Sequence, residues 1–336
     1  MSHFSVLVIT DEQPTDEALT KILQPWHEFE CTGTDDEYVQ NIDRTNEARE
    51  HYDGREDKAE TAAASIEGWF GWKSIGAAEQ PDLKGEHKYG YVRIGADGTI
   101  IEAIDRTNPN TKWDWWVVGG RWRGMLRMTA SAEVRHVEQT GGALDFEVLR
   151  GDPGLMGSQY SEEGIDICQR RNLDFALMKT IAVSRRQVRW DATIAEAAKN
   201  GFSGTTEDLD ALRREFYRAR AIEMKQWSDG GDPRDRRAHY LARMPPNLLK
   251  WDKVFDDFMW PRSTDADKPV GEWIASAPAL STLAVVKDGK WYERGTMGWW
   301  GCVHDEKDEA AWEREFDALI QCVPPTHWLT VVDCHI

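Results

Sequence analysis

The richest chemistry lies in Lys112-Trp113-Asp114-Trp115-Trp116-Val117-Val118-Gly119-Gly120-Arg121-Trp122-Arg123-Gly124. On a strand, Trp113 and Trp115 face one way, and Asp114 and Trp116 the other. Gly119-Gly120 permits positive φ and a tight turn, and lets a ligand approach the backbone closely. Arg121 and Arg123 then share a face, opposite Trp122. Indoles beside guanidinium groups suit a planar, anionic ligand such as a nucleotide. Trp115, Trp116, Gly119, Gly120, Arg121 and Trp122 are therefore candidate ligand-binding residues. The same pattern also reads as a Trp-packed hairpin with arginines laid over indoles.

A second segment, Met297-Gly298-Trp299-Trp300-Gly301-Cys302-Val303-His304-Asp305, echoes the first. Trp299 and Trp300 join the candidate binding set. If the segment is extended, Cys302 and His304 share a face, as a nucleophile–base or metal pair would. The plainer reading has His304-Asp305 leading into the last helix. A third is His27-Glu28-Phe29-Glu30-Cys31, where His27 and Cys31 share a face and could form a metal pair. Asp35, Asp36 and Glu37 follow and could add oxygen ligands, or simply form an acidic surface turn. His27, Asp35, Asp36 and His304 are the acid–base candidates. Cys334 and His335, adjacent on a strand, point to opposite faces and cannot easily share a metal. No complete metal site and no cofactor is specified. P-loop, GxGxxG, HExxH and GxSxG signatures are absent, against the commonest ATPases, dehydrogenases and serine hydrolases.

The elements that must hold these residues begin with the apolar run Ser5 to Ile9, a buried strand. Thr15 caps a helix carrying Leu19, Ile22 and Leu23 on one face, ended by Pro25. Residues 45–68 read as a surface helical excursion. Tyr89 to Ile94 and Thr99 to Ile104 form a hairpin, and Trp113 to Val118 with Arg121 to Met128 a second. A strand is expected at Phe146 to Leu149. Helices dominate 161–265, one of them capped by Thr205. Thr282 to Lys287 and Lys290 to Arg294 pair across Asp288-Gly289. A helix with Trp312, Phe316, Leu319 and Ile320 on one face follows, then an apolar strand, Trp328 to Asp333. The ends thus read β-α and β-β-α-β, the order of a ferredoxin-like split βαβ sandwich of α+β class. The predicted organisation is an α+β core over 1–160 and 266–336, with inserted β-hairpins and a helical insertion at 161–265. Two sequential domains are the alternative. The pentapeptide Ile-Asp-Arg-Thr-Asn occurs at 42–46 and again at 104–108.

The chain has 336 residues, a net charge of −18 and 40% hydrophobic content, enough to build a large core. No stretch approaches the ~20 apolar residues of a membrane span. Met1 to Thr10 lacks the basic start of a secretion signal. The acidic balance disfavours double-stranded DNA and favours basic partners. Five widely spaced cysteines without a CxxC pair fit a reducing cytoplasm better than a disulfide scaffold. Seventeen tryptophans are far above ordinary usage, and serve either a Trp-rich core or a ligand cleft.

Five segments together resemble an uncharacterised protein family of tailed bacteriophages and prophages. They are the opening Met1-Ser2-His3-Phe4-Ser5-Val6-Leu7-Val8-Ile9, His27 to Gly33, Trp113 to Trp122, Met297 to Gly301 and the closing LTVVDCHI. The resemblance implies a phage accessory protein made in the host bacterial cytoplasm. It transfers no catalytic residue. The expected function is binding or processing of a nucleotide-like small molecule in a Trp/Arg-lined cleft. The other reading is a non-enzymatic interaction protein that blocks a host defence factor, a basic host protein being the partner.

Overall fold

The computed structural model describes residues 2–53, 61–140, 149–152, 163–227, 241–258, 268–298 and 303–336. The two ends of the chain build its central sheet. Strand β1 (His3–Thr10) and strand β12 (Trp328–His335) pair antiparallel along their whole length, from His3 opposite His335 to Thr10 opposite Trp328. Both are buried on both faces, as a central covered strand requires. On the other side of β1, strand β8 (Ala284–Lys287) pairs parallel with it and turns back into β9 (Lys290–Glu293). The turn is Asp288-Gly289, both at positive φ, as a two-residue hairpin demands. Strands β6 (Trp115–Val118) and β7 (Ile167–Gln169) pair side by side with β12. The six-stranded sheet therefore runs β6-β12-β1-β8-β9, with β7 beside β12.

The fold class is α+β. The strand order departs from a split βαβ, in which the second strand of the hairpin would separate β1 from β8. Instead β8 touches β1 directly and β9 lies at the edge. The residues explain it. Ala284, Val285 and Val286 are buried on both faces, whereas β9 opens with an exposed Lys290 and ends with Glu293.

One face of the sheet, bearing Leu7, Ile9 and Val331, is covered by helix Glu309–Gln321 through Trp312, Phe316 and Ile320. The other, bearing Phe4, Val6 and Val8, is covered by helix Asp16–Leu23 through Leu19 and Leu23. Thr15 caps that helix, accepting from the Ala18 N–H at 3.2 Å.

The expected hairpin of Trp113–Val118 with Arg121–Met128 does not form. Trp115 to Val118 pair with β12 instead, and Gly120–Trp122 is a single 3-10 turn. The expected strand at Phe146 to Leu149 lies largely outside the described residues.

A second sheet of four strands, β2 (Gln40–Asp43), β3 (Lys73–Gly76), β4 (Gly90–Ile94) and β5 (Ile100–Thr107), runs β2-β5-β4-β3. It contains the first predicted hairpin and has its own core of Ala48, Ile66, Trp72 and Val92. The helices at 45–53 and 62–70 pack on it, so they are less a surface excursion than its cover. The two Ile-Asp-Arg-Thr-Asn copies meet here, with Ile42 opposite Asp105 and Asp43 opposite Ile104. The helical block has a separate core around Trp190, Phe216, Trp251, Phe255 and Trp273. That core reaches Ile274, while Ile165 and Cys168 pack with the main sheet, so both edges of the block lie later than 161 and 265.

Candidate functional site

At the start of β1 and the end of β12, side chains of one sheet face converge. The register sets His3 opposite His335 and Ser5 opposite Asp333. Because alternate residues share a face, His3, Ser5, Asp333 and His335 lie together. Asp333, 1% exposed, approaches His3 Nδ1 at 3.0 Å. Asp114, just before β6, approaches His335 Nδ1 at 2.6 and 2.8 Å through its two oxygens. Carboxylates only accept, so each imidazole donates from Nδ1. The two rings sit edge to face with centroids 4.9 Å apart. Trp115 stacks on His335 at 5.0 Å and meets His3 edge-on at 5.3 Å.

The Gly119-Gly120 turn is shaped by two buried carboxylates. A Cβ on Gly120 would lie 2.3 Å from Asp333 Oδ2, and one on Gly119 would lie 2.7 Å from Asp166 Oδ2. Asp333 Oδ2 accepts from the Arg121 N–H at 2.9 Å. Asp166 accepts from the Gly124 and Gly151 N–H groups at 2.7 and 3.0 Å. Burial pushes the Asp166 carboxyl up to about 6 even so; the two backbone bonds and Arg123 pull the other way. The glycines thus admit carboxylates of the chain itself to the backbone.

His3 opens into a cleft of about 300 Å3 that also carries Ser5, Trp122, Arg186, Thr282, Arg294 and Glu313. Trp122 supplies a π-face, the arginines positive charge, and His3 a proton-transfer group backed by Asp333.

On the outer side of Asp114, Glu28 and Cys31 complete a trio whose ligand atoms lie within 4.8 Å of one another. Cys31 Sγ donates to Glu28 Oε2 at 3.2 Å and lies 4.0 Å from Asp114 Oδ2. Partial burial, the Glu28 hydrogen bond and the carboxylates of Glu28, Asp114 and Glu30 push the Cys31 thiol up to about 12. Such a thiol is a poor nucleophile. Together with the two carboxylates it has the donor types to hold a divalent cation.

Of the four acid–base residues predicted from sequence, His27, Asp35 and Asp36 take separate partners. His27 is buried against Trp113, with ring centroids 4.8 Å apart. Asp35 pairs with Arg106 at 2.6 Å. Asp36 accepts from Gln24 Nε2 at 2.6 Å and from the Tyr38 N–H at 2.9 Å. His304 is in the short strand β11 (Val303–His304), opposite Thr296 of β10 (Thr296–Met297), and its side chain lies outside the described residues. None of these contacts joins one of the four to another. Of the predicted binding set, Trp115 and Trp122 lie on the His3 side of the sheet. Trp116 packs on the opposite face, against the cluster of Phe4 and Val6. Arg121 Nε is buried without a partner among the described residues. Trp299, Trp300 and Cys302 lie outside those residues.

His3, Asp333, His335 and Asp114 are the functional candidates that sequence reasoning missed. The signal was there: Asp333 and His335 are two apart in an extended segment, and in the expected sandwich the first and last strands belong to one sheet. Compared with protein-family models, with curated proteins and with solved structures, the chain shows no match.

Proposed function

We propose that the chain is a phage accessory protein of the host cytoplasm that binds or processes a nucleotide-like small molecule in the cleft at His3. The observation that carries this reading is that His3, backed by the buried Asp333, lines a cleft with Trp122, Arg186 and Arg294. An aromatic face for a base, guanidiniums for an anionic group and a carboxylate-backed imidazole are what such a ligand needs. Asp333 orients the His3 ring, and the Arg121 N–H holds Asp333. The segments that carry the phage-family resemblance supply His3, Asp114, Trp115, Trp122, Asp333 and His335, which supports one shared purpose.

The test is a thermal-shift screen of nucleotides on the full chain and on His3→Gln and Trp122→Ala. A nucleotide should raise the wild-type melting temperature and raise those of the variants less. Equal shifts in all three would place the ligand elsewhere.

A second reading, a non-enzymatic protein that blocks a host factor, is favoured by two features. The charge of −18 would steer the chain to a basic partner, and Trp69 is 70% exposed, stacked on His51. A silent nucleotide screen would bring this reading forward.

A further inference from the structure

Next to the His3 cleft is a pocket of about 210 Å3, where helix Phe175–Lys199 meets the segment 277–281 and the chain beyond the Gly119-Gly120 turn. It shares Arg186, Pro278 and Ser281 with the cleft, so the two adjoin. Three arginines line it, Arg127, Arg185 and Arg186, over apolar Met125 and Met178. In a chain of net charge −18 this local balance runs against the average.

Arg127 is the decisive residue. It is 9% exposed, and its Nη1 is buried with no hydrogen-bond partner among the described residues. A buried donor without an acceptor is costly, and more so when it carries charge. Burial lowers the Arg127 pKa; the Glu163 carboxylate opposes this, and Arg185 and Arg150 add to it. The guanidinium is protonated nonetheless. An anion entering the pocket would supply the missing acceptor and offset the repulsion among the arginines.

The pocket is smaller than the ~300–1,000 Å3 of a site for a whole ligand, and suits a headgroup. A planar carboxylate satisfies one guanidinium fork. A dianion with three terminal oxygens can accept from several. Arg186 is already held in place, donating to Ser276 Oγ at 3.2 Å and lying 4.9 Å over the Trp273 ring.

We propose that this pocket is a phosphate subsite, in which Arg127 Nη1 donates to a phosphate oxygen with Arg185 and Arg186 beside it. The ligand is then a phosphorylated small molecule whose remainder passes Pro278 and Ser281 towards Trp122 and His3. The last statement rests on the reading of the adjoining cleft as a ligand site; the phosphate subsite does not.

The experiment titrates inorganic phosphate, a nucleoside and its monophosphate into the full chain at constant ionic strength, by calorimetry and by melting temperature. Arg127→Met keeps the unbranched apolar stem of the side chain and removes the charge. Without ligand it should melt at or above the wild-type temperature, because an unpaired buried charge is gone. Its phosphate affinity should fall about tenfold or more, the weight of one charge-assisted hydrogen bond. Arg185→Gln, at the pocket wall, should weaken phosphate too and serves if Arg127→Met does not fold. His3→Gln should keep phosphate affinity. Unchanged phosphate affinity in the folded Arg127→Met chain, or in Arg185→Gln if that chain fails to fold, would overturn the subsite. So would a wild-type chain indifferent to both phosphate and the monophosphate. If the nucleoside binds wild type and not His3→Gln, while Arg127→Met binds the monophosphate as well as wild type, the cleft reading stands and the subsite falls.

Discussion

His3 and His335 face each other across two central antiparallel strands, their rings 4.9 Å apart, and each has its own buried or half-buried carboxylate. Neither carboxylate comes from the strand position opposite its histidine. Asp333 reaches His3 diagonally, and Asp114 reaches His335 from the chain before β6. The result is a four-residue polar group at the end of two largely apolar central strands, where each histidine is held by a carboxylate.

That group is tied to the fold through Asp333. Asp333→Ala should leave His3 Nδ1 and the Arg121 N–H without their acceptor. The expected loss is about 1–3 kcal/mol for each buried donor left without an acceptor. Urea unfolding of the variant beside His3→Gln checks it. His3→Gln, which leaves the Arg121 bond in place, should lose less.

Gly120 has a positive φ of +53 and no room for a side chain, because Asp333 Cβ as well as its carboxylate lies in the way. Gly71 has a φ of +74 and open space around it. Gly71→Ala should therefore show only the left-handed backbone cost of about 1–2 kcal/mol. Gly120→Ala should exceed it clearly, with the difference visible in paired thermal melts. Equal losses would mean that Asp333 yields without penalty.

Much of this was legible before the structure. The pairing of the end strands, the Thr15 cap, the Asp288-Gly289 turn and the Trp312–Phe316–Ile320 face all follow from local pattern, and all are present. The strand order was also written, in the unbroken apolar run of β8 against the polar ends of β9, but hairpin order alone does not choose which strand docks on β1. The site was harder. Cys334 and His335 were rightly set on opposite faces of a strand, but Asp333 and His335, which the same alternation unites, were passed over. Asp114 and Trp115 were visible as types, yet only the register of β6 on β12 assigns them to His335. Trp116 was equally prominent and lies on the other face, because alternation gives two faces and not the identity of the one with the cleft. The second sheet escaped because β2 is short and polar, with a mostly exposed pattern.

Asp166 gives the fold a pH dependence of known sign. Its folded-state value is about 6 against an ordinary 3.8, so the folded chain holds more protons between those two values. Stability from this group is full below pH 4 and is lost as pH rises through 6. The loss is about 3 kcal/mol, at roughly 1.36 kcal/mol per pH unit. Denaturant melts of wild type and Asp166→Asn at steps from pH 4 to 7 should show the wild type losing this much relative to the variant. Parallel curves would refute it.

Cys31 should be slow to alkylate. With its thiol pushed up to about 12, the thiolate is a trace species at pH 8. Iodoacetamide should label Cys31 far more slowly than a free cysteine, and Glu28→Gln should speed it. A divalent cation held by Glu28, Cys31 and Asp114 would reveal itself by releasing a proton and, for cadmium, by a thiolate absorption band. Fast labelling of the unmodified chain would contradict the assigned environment.

The pairing of β1 with β12 has a consequence for how the chain comes to be folded. His3 and Asp333 are 330 positions apart, yet their strands are neighbours at the middle of the sheet. During synthesis β1 emerges first among the described strands and has neither central partner until β8 and then β12 have left the ribosome. The helical block and the four-stranded sheet, whose contacts are local by comparison, can assemble while β1, covered on one face by the helix Asp16–Leu23, waits with the Leu7 and Ile9 face and both strand edges open. Closure of such distant contacts is slow, and an exposed apolar strand is a target for misassociation in the interval. Of the described strands β12 is made last, and it completes both the pairing of β1 and the histidine pair, so the site cannot form before that late, long-range closure.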